Sequence, residues 1–279
     1  MKVNQLIADV GIHAKYELTT PVDIIEMDDI PDEDEMYVDS RKWIKVDDVV
    51  ALAGDLTNST KLSLRKHTNT SARIYEAATG GAIRIVTQKE FGPEFVDIQG
   101  DGFFALFHGH LAHERALCAA VSLRTFSERH LVPLIQQNMG PTVPKTGFKA
   151  GISSGTLAVK RVGAPRRGEE PVWAGKPVNW AYKCAQQAEI HEVVVTEKVW
   201  NKIKDNDYVR WSCGCDGSGN LSSISMLWSP KTVTPLLGHG INCWVLQQRW
   251  CEIHGDEFCQ AILHGTTDRA DVPSRSSWE

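Results

Sequence analysis

The segment that most narrows the fold is Glu94-Phe-Val-Asp-Ile-Gln-Gly-Asp-Gly-Phe-Phe-Ala-Leu-Phe107. Gln99-Gly-Asp-Gly102 has the composition of a turn, and Phe103–Phe107 is an uninterrupted apolar run of strand length. With Glu94–Ile98 before the turn, the pattern predicts a β-hairpin whose second strand is buried. Trp43–Ala53, rich in β-branched residues and ending at Gly54-Asp55, reads as another strand. Strands are also predicted at Ile83–Val86, Phe148–Ile152, Thr156–Val159 and Glu192–Thr196, with Ser153-Ser-Gly155 as a turn. Helices are predicted over Ser59–Ala78, stopped by Gly80-Gly81, and over His110–Gln137, ended by Pro141 and Pro144. A third runs from Gly175-Lys-Pro-Val-Asn179 to Ala188. Hairpins interleaved with helices point to an α+β sandwich and not to a doubly wound parallel sheet.

A chain of 279 residues has length for one or two domains, and 42% hydrophobic with 23% charged residues excludes fibrous, low-complexity and wholly disordered classes. Thirty basic against thirty-five acidic residues leave −5, which speaks against a nucleic-acid partner. No run of about eighteen apolar residues is present and the first residues lack a signal-peptide profile. No membrane partner and a cytoplasmic address are therefore expected. The acidic run Glu26–Glu35, broken by Pro31, reads as a linker and makes residues 1–42 an appendage. Residues 43–205 carry the α+β domain. Near 206 the composition turns to Cys, Ser, Gly and Trp, so 206–279 is expected to be a small second domain.

Two carboxylates stand at strand ends. Asp55 precedes Leu56-Thr-Asn-Ser-Thr60 at a helix start, and Asp101 sits at the hairpin tip. Each alone is an ordinary cap or turn residue. On strands about 4.8 Å apart, the pair could hold two divalent ions about 3.5–4 Å from each other, an arrangement used for in-line phosphoryl transfer. Backbone N–H groups around Asn58, Ser59 and Thr60 would then face phosphate oxygens.

Four motifs, Gly54-Asp-Leu-Thr-Asn-Ser-Thr60, Gly100-Asp-Gly-Phe-Phe-Ala-Leu-Phe107, Gly151-Ile-Ser-Ser-Gly155 and Gly175-Lys-Pro-Val-Asn-Trp-Ala181, follow one another here. Their order and spacing resemble those of class III nucleotidyl cyclases over roughly residues 43–205. The resemblance implies a ferredoxin-like α+β domain and a head-to-tail homodimer with active sites at the interface. It implies two Mg²⁺ or Mn²⁺ ions per site on Asp55 and Asp101, with the Leu56 carbonyl as a further ligand. Asn179 stands where the family orients the ribose. Lys183 stands where the family has a transition-state arginine; it offers a point charge to the α-phosphate without the planar fork.

Base recognition departs further from the adenylate cyclases. Their lysine, four residues before the second metal aspartate, is replaced here by Asp97, and no acid lies near Val172-Trp173 to take the adenine amino group. An ionised carboxylate only accepts hydrogen bonds. It suits uracil N3–H or the cytosine amino group and repels adenine N1. Trp173 or Phe95 filling the pocket would favour the smaller pyrimidine ring. The other reading leaves Asp97 pointing outward from its strand and touching nothing.

Of seven cysteines, five fall between 213 and 259. Cys-x-Cys, then Cys-x-x-His, then a further Cys can supply four tetrahedral zinc ligands. The expected set is Cys213, Cys215, Cys251 and Cys259, with His254 as substitute for any of them. Cys243 is assigned to the core, and Cys118 and Cys184 are expected as lone buried thiols. Cys213-Gly-Cys215 and Trp250-Cys-Glu-Ile-His-Gly-Asp-Glu-Phe-Cys259 resemble the C-terminal sensor domain of the pyrimidine cyclases of bacterial Pycsar anti-phage defence. That resemblance implies a cyclic UMP or cyclic CMP product read by a separate effector. The histidines suggest no nucleophile triad. Lys160, Arg161, Arg166 and Arg167 are either triphosphate ligands or a solvated loop.

The readings converge on a pyrimidine nucleotide cyclase with UTP favoured over CTP. The alternatives are an adenylate cyclase with an unusual base pocket and an inactive cyclase-like module that binds a nucleotide and signals through its tail.

Overall fold

β-Branched and aromatic runs become sheet, and the alanine-rich stretches become the helices that cover it. The computed structural model describes residues 2–37, 41–63, 68–140, 143–164, 168–216, 220, 222–234 and 238–272. Its strands are β1 (Asp23–Glu26), β2 (Lys42–Leu56), β3 (Phe95–Gln99), β4 (Gly102–Phe107), β5 (Phe148–Ala164), β6 (Gly168–Gly175), β7 (Val193–Thr196), β8 (Trp228–Val233) and β9 (Ile241–Leu246). Its helices are α1 (Val3–Thr19), α2 (Ser59–Ser63), α3 (Thr68–Tyr75), α4 (Gly81–Val86), α5 (Ala112–Phe126), α6 (Val132–Met139), α7 (Lys176–Gln187), α8 (Glu197–Ile203), α9 (Asp207–Arg210) and α10 (Gly255–Leu263).

The main sheet runs β3-β4-β2-β5-β7-β9-β8. Numbering β2, β3, β4 and β5 in chain order, the row from β5 to β3 reads 4-1-3-2, the order of a ferredoxin-like β-α-β-β-α-β unit. Two compact units are distinguished, residues 1–47 with 157–174, and residues 48–156 with 175–279. In the first, β1 pairs in parallel with the start of β2, Asp23 opposite Lys42, and β6 pairs with β5. In the second, β9 pairs antiparallel with β7 and with β8. The boundaries drawn from sequence after 42 and 205 do not coincide with these units.

The second unit has its core on one face of the sheet. Leu52, Phe103, Phe107, Ile152 and Val193 pack there with Leu117, Leu123 and Leu131 of the α5–α6 region. On the other face Cys184 and Ala188, from α7 and its end, meet Val194, Cys243 and Val245.

Two expectations change. Ile83–Val86 is helix α4, continuous with α3 through a π-helical turn at Glu76–Gly80, and Gly80 and Gly81 are helical, with φ of −60° and −63°. The glycine at 81 serves packing: a Cβ there would lie 2.7 Å from Cζ of Phe126 on α5. The β-branched Ile83 and Ile85 pack against the core from a helix, which overrides their strand preference. Likewise Ser153-Ser-Gly155 makes no turn. β5 runs straight through it, with Ser153 and Ser154 buried in the strand.

Candidate active site and a metal-ligating cluster

Gln99 pairs with Gly102, so the hairpin turn is Gly100-Asp101, with Gly100 at φ 68° as such tight turns require. On the neighbouring strand, Gly54 lies opposite Phe103. A Cβ on Gly102 would sit 2.8 Å from the Gly54 carbonyl oxygen and 3.9 Å from Asp55 Cα. The hairpin tip and the end of β2 thus meet backbone to backbone, and Asp55 and Asp101 share one end of the sheet, both half-buried. Across β2's other edge, the Lys149 ammonium on β5 lies 3.1 Å from Asp55 Oδ2, with side chains 14% and 33% exposed. Lys149 also donates to the Gln186 carbonyl at 3.3 Å. Sequence reading missed Lys149, because only the β2–β5 neighbourhood, invisible in one dimension, places it beside Asp55.

The connection after β2 is tied to the segment before β5. The Thr57 N–H donates to the Gly147 carbonyl at 3.1 Å, and Thr146 Oγ1 donates to the Thr57 carbonyl at 2.6 Å. Asn58, at φ 60°, donates its amide to the Lys145 carbonyl at 2.8 Å. Leu56 and Ser59 are buried, Thr60 is exposed, and α2 behind them is five residues long.

Asp97, opposite Phe104, is not the contact-free residue of the second reading. It accepts from Gln99 Nε2 at 2.9 Å, and Gln99 Oε1 accepts from the Tyr182 hydroxyl of α7 at 3.1 Å. The Phe104 ring packs edge-on to Tyr182 at 6.1 Å and against Phe95 at 5.8 Å. Burial holds the Tyr182 hydroxyl well above its ordinary pKa, and the charges of Asp97 and Asp55 add to this. Tyr182 is therefore a fixed donor beside both carboxylates. Helical spacing could have found it, three residues after Asn179.

Asn179 is exposed in the first turn of α7, where its amide donates to the Gly175 carbonyl at 2.8 Å. Lys183 places its ammonium over the Trp180 ring, 4.5 Å from the centroid. The close seat of α7 on β5 requires Gly151, whose Cβ would overlap the Ala181 carbonyl. Trp173 lies on β6 in the first compact unit. Arg161 donates to the Glu169 carbonyl and so ties β5 to β6, while Arg166 and Arg167 lie outside the described residues.

In the tail, one ligand atom from each of Cys213, Cys215, Cys251 and His254 lies within 4.8 Å of the others. Neighbouring atoms are 3.4, 3.3 and 3.8 Å apart along that series. Four tetrahedral ligands with Zn–S near 2.3 Å stand roughly 3.8 Å from one another, so the group fits a metal closely. Burial pushes the Cys213 thiol up to about 11. Burial opposes ionisation of Cys251 too, but the His254 and Ile253 N–H groups, with the Cys215 and His254 side chains, outweigh it and bring the thiol down to about 6. Such a thiol is readily a thiolate ligand.

Cys259 is outside the cluster. It lies within α10, which begins at Gly255, and its free thiol is hydrogen-bonded to that of buried Cys118. His254, just ahead of the helix, is the fourth member instead. Cys118 is thus not a lone thiol, nor is Cys184, which meets buried Cys243 at 3.9 Å. Ser127 Oγ and His191 Nε2 are 3.1 Å apart, but Ser127 is wholly buried and accepts from the Phe148 N–H at 2.8 Å, so the pair is structural.

No family model matches the chain. A uridylate cyclase of Micromonospora echinofusca is 43% identical over 273 residues, which is 97% of this chain and 87% of that protein. A uridylate cyclase of Propioniciclava tarda is 44% identical over 258 residues, 91% of this chain and 81% of that protein. Among solved structures, the adenylyl cyclase CyaB from P. aeruginosa aligns with a TM-score of 0.55 at 18% identity, covering 75% of this chain and 98% of that one, a likeness of fold. With that identity sustained over nearly its whole length, the chain belongs to the uridylate cyclases and is a nucleotidyl cyclase on the class III cyclase fold.

Proposed function

We propose that this enzyme converts UTP to 3′,5′-cyclic UMP and pyrophosphate, acting as a head-to-tail homodimer in the cytoplasm. The observation that carries the reading is the backbone contact of Gly102 with Gly54 and Asp55, which joins two carboxylates at one sheet end. Their hard oxygen donors, half open to solvent, suit Mg²⁺ or Mn²⁺, and the Lys149 ammonium paired with Asp55 supports a place for positive charge there. Asp55, Asp101 and the Leu56 carbonyl would hold two such ions. Bound there, they supply charge neutralisation on the triphosphate and a more acidic ribose 3′-hydroxyl.

The chain's own residues do the positioning. Lys149, now paired with Asp55, would turn its ammonium to a phosphate oxygen were ions to take that carboxylate. Backbone N–H groups around Asn58, Ser59 and Thr60 lie along the triphosphate. Asn179, exposed at the start of α7, orients the ribose of the nucleotide bound by the partner, so that the 3′-oxygen and α-phosphorus are in line. Lys183 neutralises charge at the α-phosphate. Gln99 takes one oxygen of Asp97 and leaves the other to accept from uracil N3–H. The names of the two relatives support UTP over CTP.

In the tail, Cys213, Cys215, Cys251 and His254 hold one structural Zn²⁺, which four protein ligands leave without an open position. The tail serves as a sensor domain in anti-phage defence, and a separate effector reads the cyclic nucleotide. The test is to incubate purified protein with Mn²⁺ and each of ATP, GTP, CTP and UTP and identify products by mass. Cyclic UMP should dominate. A dominant cyclic purine overturns the base reading, and dominant cyclic CMP moves it to the cytosine amino group.

A further inference from the structure

Gln99 is exposed, yet both ends of its side-chain amide are held. Nε2 donates to Asp97 Oδ2 at 2.9 Å, and Oε1 accepts from the Tyr182 hydroxyl at 3.1 Å. Fixing a long surface side chain costs rotamer entropy that two exposed hydrogen bonds do little to offset. A geometry held at that cost points to a use other than stability.

The direction of the amide follows from its partners. An ionised carboxylate such as Asp97 only accepts, so the nitrogen of Gln99 must face it. The Gln99 carbonyl is then left to Tyr182, whose hydroxyl is held protonated by burial and by the charges of Asp97 and Asp55. Turned over, the amide would set its oxygen against the carboxylate. Tyr182 is itself fixed, its ring edge-on to Phe104 with centroids 6.1 Å apart. All four residues belong to the second compact unit.

An acceptor thus stands beside a donor: Asp97 Oδ1, the oxygen that Gln99 does not take, and the second N–H of Gln99 Nε2. Uracil carries N3–H between two carbonyl oxygens. With N3–H on Asp97, a donor on either side meets an oxygen. Cytosine seated in the same way turns a bare ring nitrogen to the carboxylate. It matches the pair only when shifted one atom along its edge, amino group on Asp97, which moves the ribose away from Asn179.

We propose that Tyr182 is a positioning residue for nucleotide choice, locking Gln99 as a donor beside Asp97 so that the pair selects uracil over cytosine. This role rests on the reading that Asp97 meets the base. Gln99 becomes the second base contact, and Tyr182 the group that orients it.

The test is kcat/KM for UTP and for CTP, measured with Mn²⁺ on the full-length protein and its variants. UTP should be the better substrate of the parent, and Asp97→Ala should lower the UTP-to-CTP ratio by about ten-fold or more. Failure of either removes the base reading and the role of Tyr182 with it. Tyr182→Phe keeps the ring against Phe104 and should lower the ratio by about five-fold or more, mainly through KM for UTP. Its melting temperature should stay within roughly 2 °C of the parent. Gln99→Met should lower the ratio by at least as much. The double variant should match Gln99→Met within about two-fold, since the hydroxyl acts through the amide. Where Asp97→Ala lowers the ratio, a ratio unchanged in Tyr182→Phe or in Gln99→Met overturns the role of Tyr182 and leaves the base reading standing. A double variant that falls well below Gln99→Met also overturns it, since the hydroxyl would then act on its own.

Discussion

The two clusters of metal-type ligands are built in opposite ways. Asp55 and Asp101 are hard oxygen donors brought together by main chain, through a strand end and a two-residue turn in backbone contact at Gly102. Cys213, Cys215, Cys251 and His254 are soft donors brought together by side chains, from segments that pair little with each other. The first is half open to solvent; the second gathers four ligand atoms within 4.8 Å of one another, a set that could hold an ion with no position left open. A backbone-built site keeps its shape without metal. A side-chain-built site needs the metal for its own local order.

The contrast can be broken most directly at the sheet end. Asp55→Ala or Asp101→Ala should lower turnover by about a thousand-fold or more while leaving the melting temperature within a few degrees, as read by product mass and calorimetry. Retained activity in either variant would remove the aspartates from the metal site. Gly102→Ala comes next: its methyl would press on the Gly54 carbonyl at 2.8 Å, a backbone atom that yields only if the strands part. Activity should fall roughly a hundred-fold, in line with the cost of about 1 Å of misplacement. Unchanged turnover there would mean that close strand contact does not set the carboxylate geometry.

In the tail the signature should invert. Cys215→Ser, or prolonged chelation, should lower the melting temperature by about 5 °C or more, with one equivalent of metal lost by elemental analysis. Turnover per folded molecule should change less than about ten-fold, since no catalytic position is assigned there. Cys259→Ser should leave the metal content unchanged, because that thiol faces Cys118. Loss of metal in that variant would restore Cys259 as a ligand.

The smallest effect concerns α5. Burial holds His113 down to about 4 from its ordinary 6.5. The unfolded chain therefore takes up a proton first as pH falls, so this group's stability is whole above 6.5 and is lost towards 4. Between pH 7 and 4.5, His113→Gln should lessen the fall in melting temperature by roughly 2–4 °C relative to the parent. An identical slope would show that His113 is not the group responsible.

Much of the fold was legible because its signals are local. The apolar run Phe103–Phe107, the Gly100-Asp101 turn and the strand that carries Asp55 near its end all sit where residue pattern puts them. The misreadings at Gly80-Gly81 and Ser153-Ser-Gly155 share one cause: composition marks a turn, but contact decides whether the chain turns. The Phe126 ring needs a glycine in the helix, and two buried serines continue a strand. The candidate site divides similarly. Asp55, Asp101 and Asn179 carry readable motifs, whereas Lys149, Gln99 and Tyr182 have no signature of their own.

By itself the sequence determined which residue types could do chemistry, since side-chain identity, glycine placement and hydrophobic period are properties of the chain in order. Only the tertiary structure decided which of them meet. It set Lys149 on Asp55, joined Tyr182 through Gln99 to Asp97, and chose His254 over Cys259 by starting α10 at Gly255. Those choices depend on strand neighbours and helix phase, which arise from packing across distances of many tens of residues and leave no mark in the local order of letters.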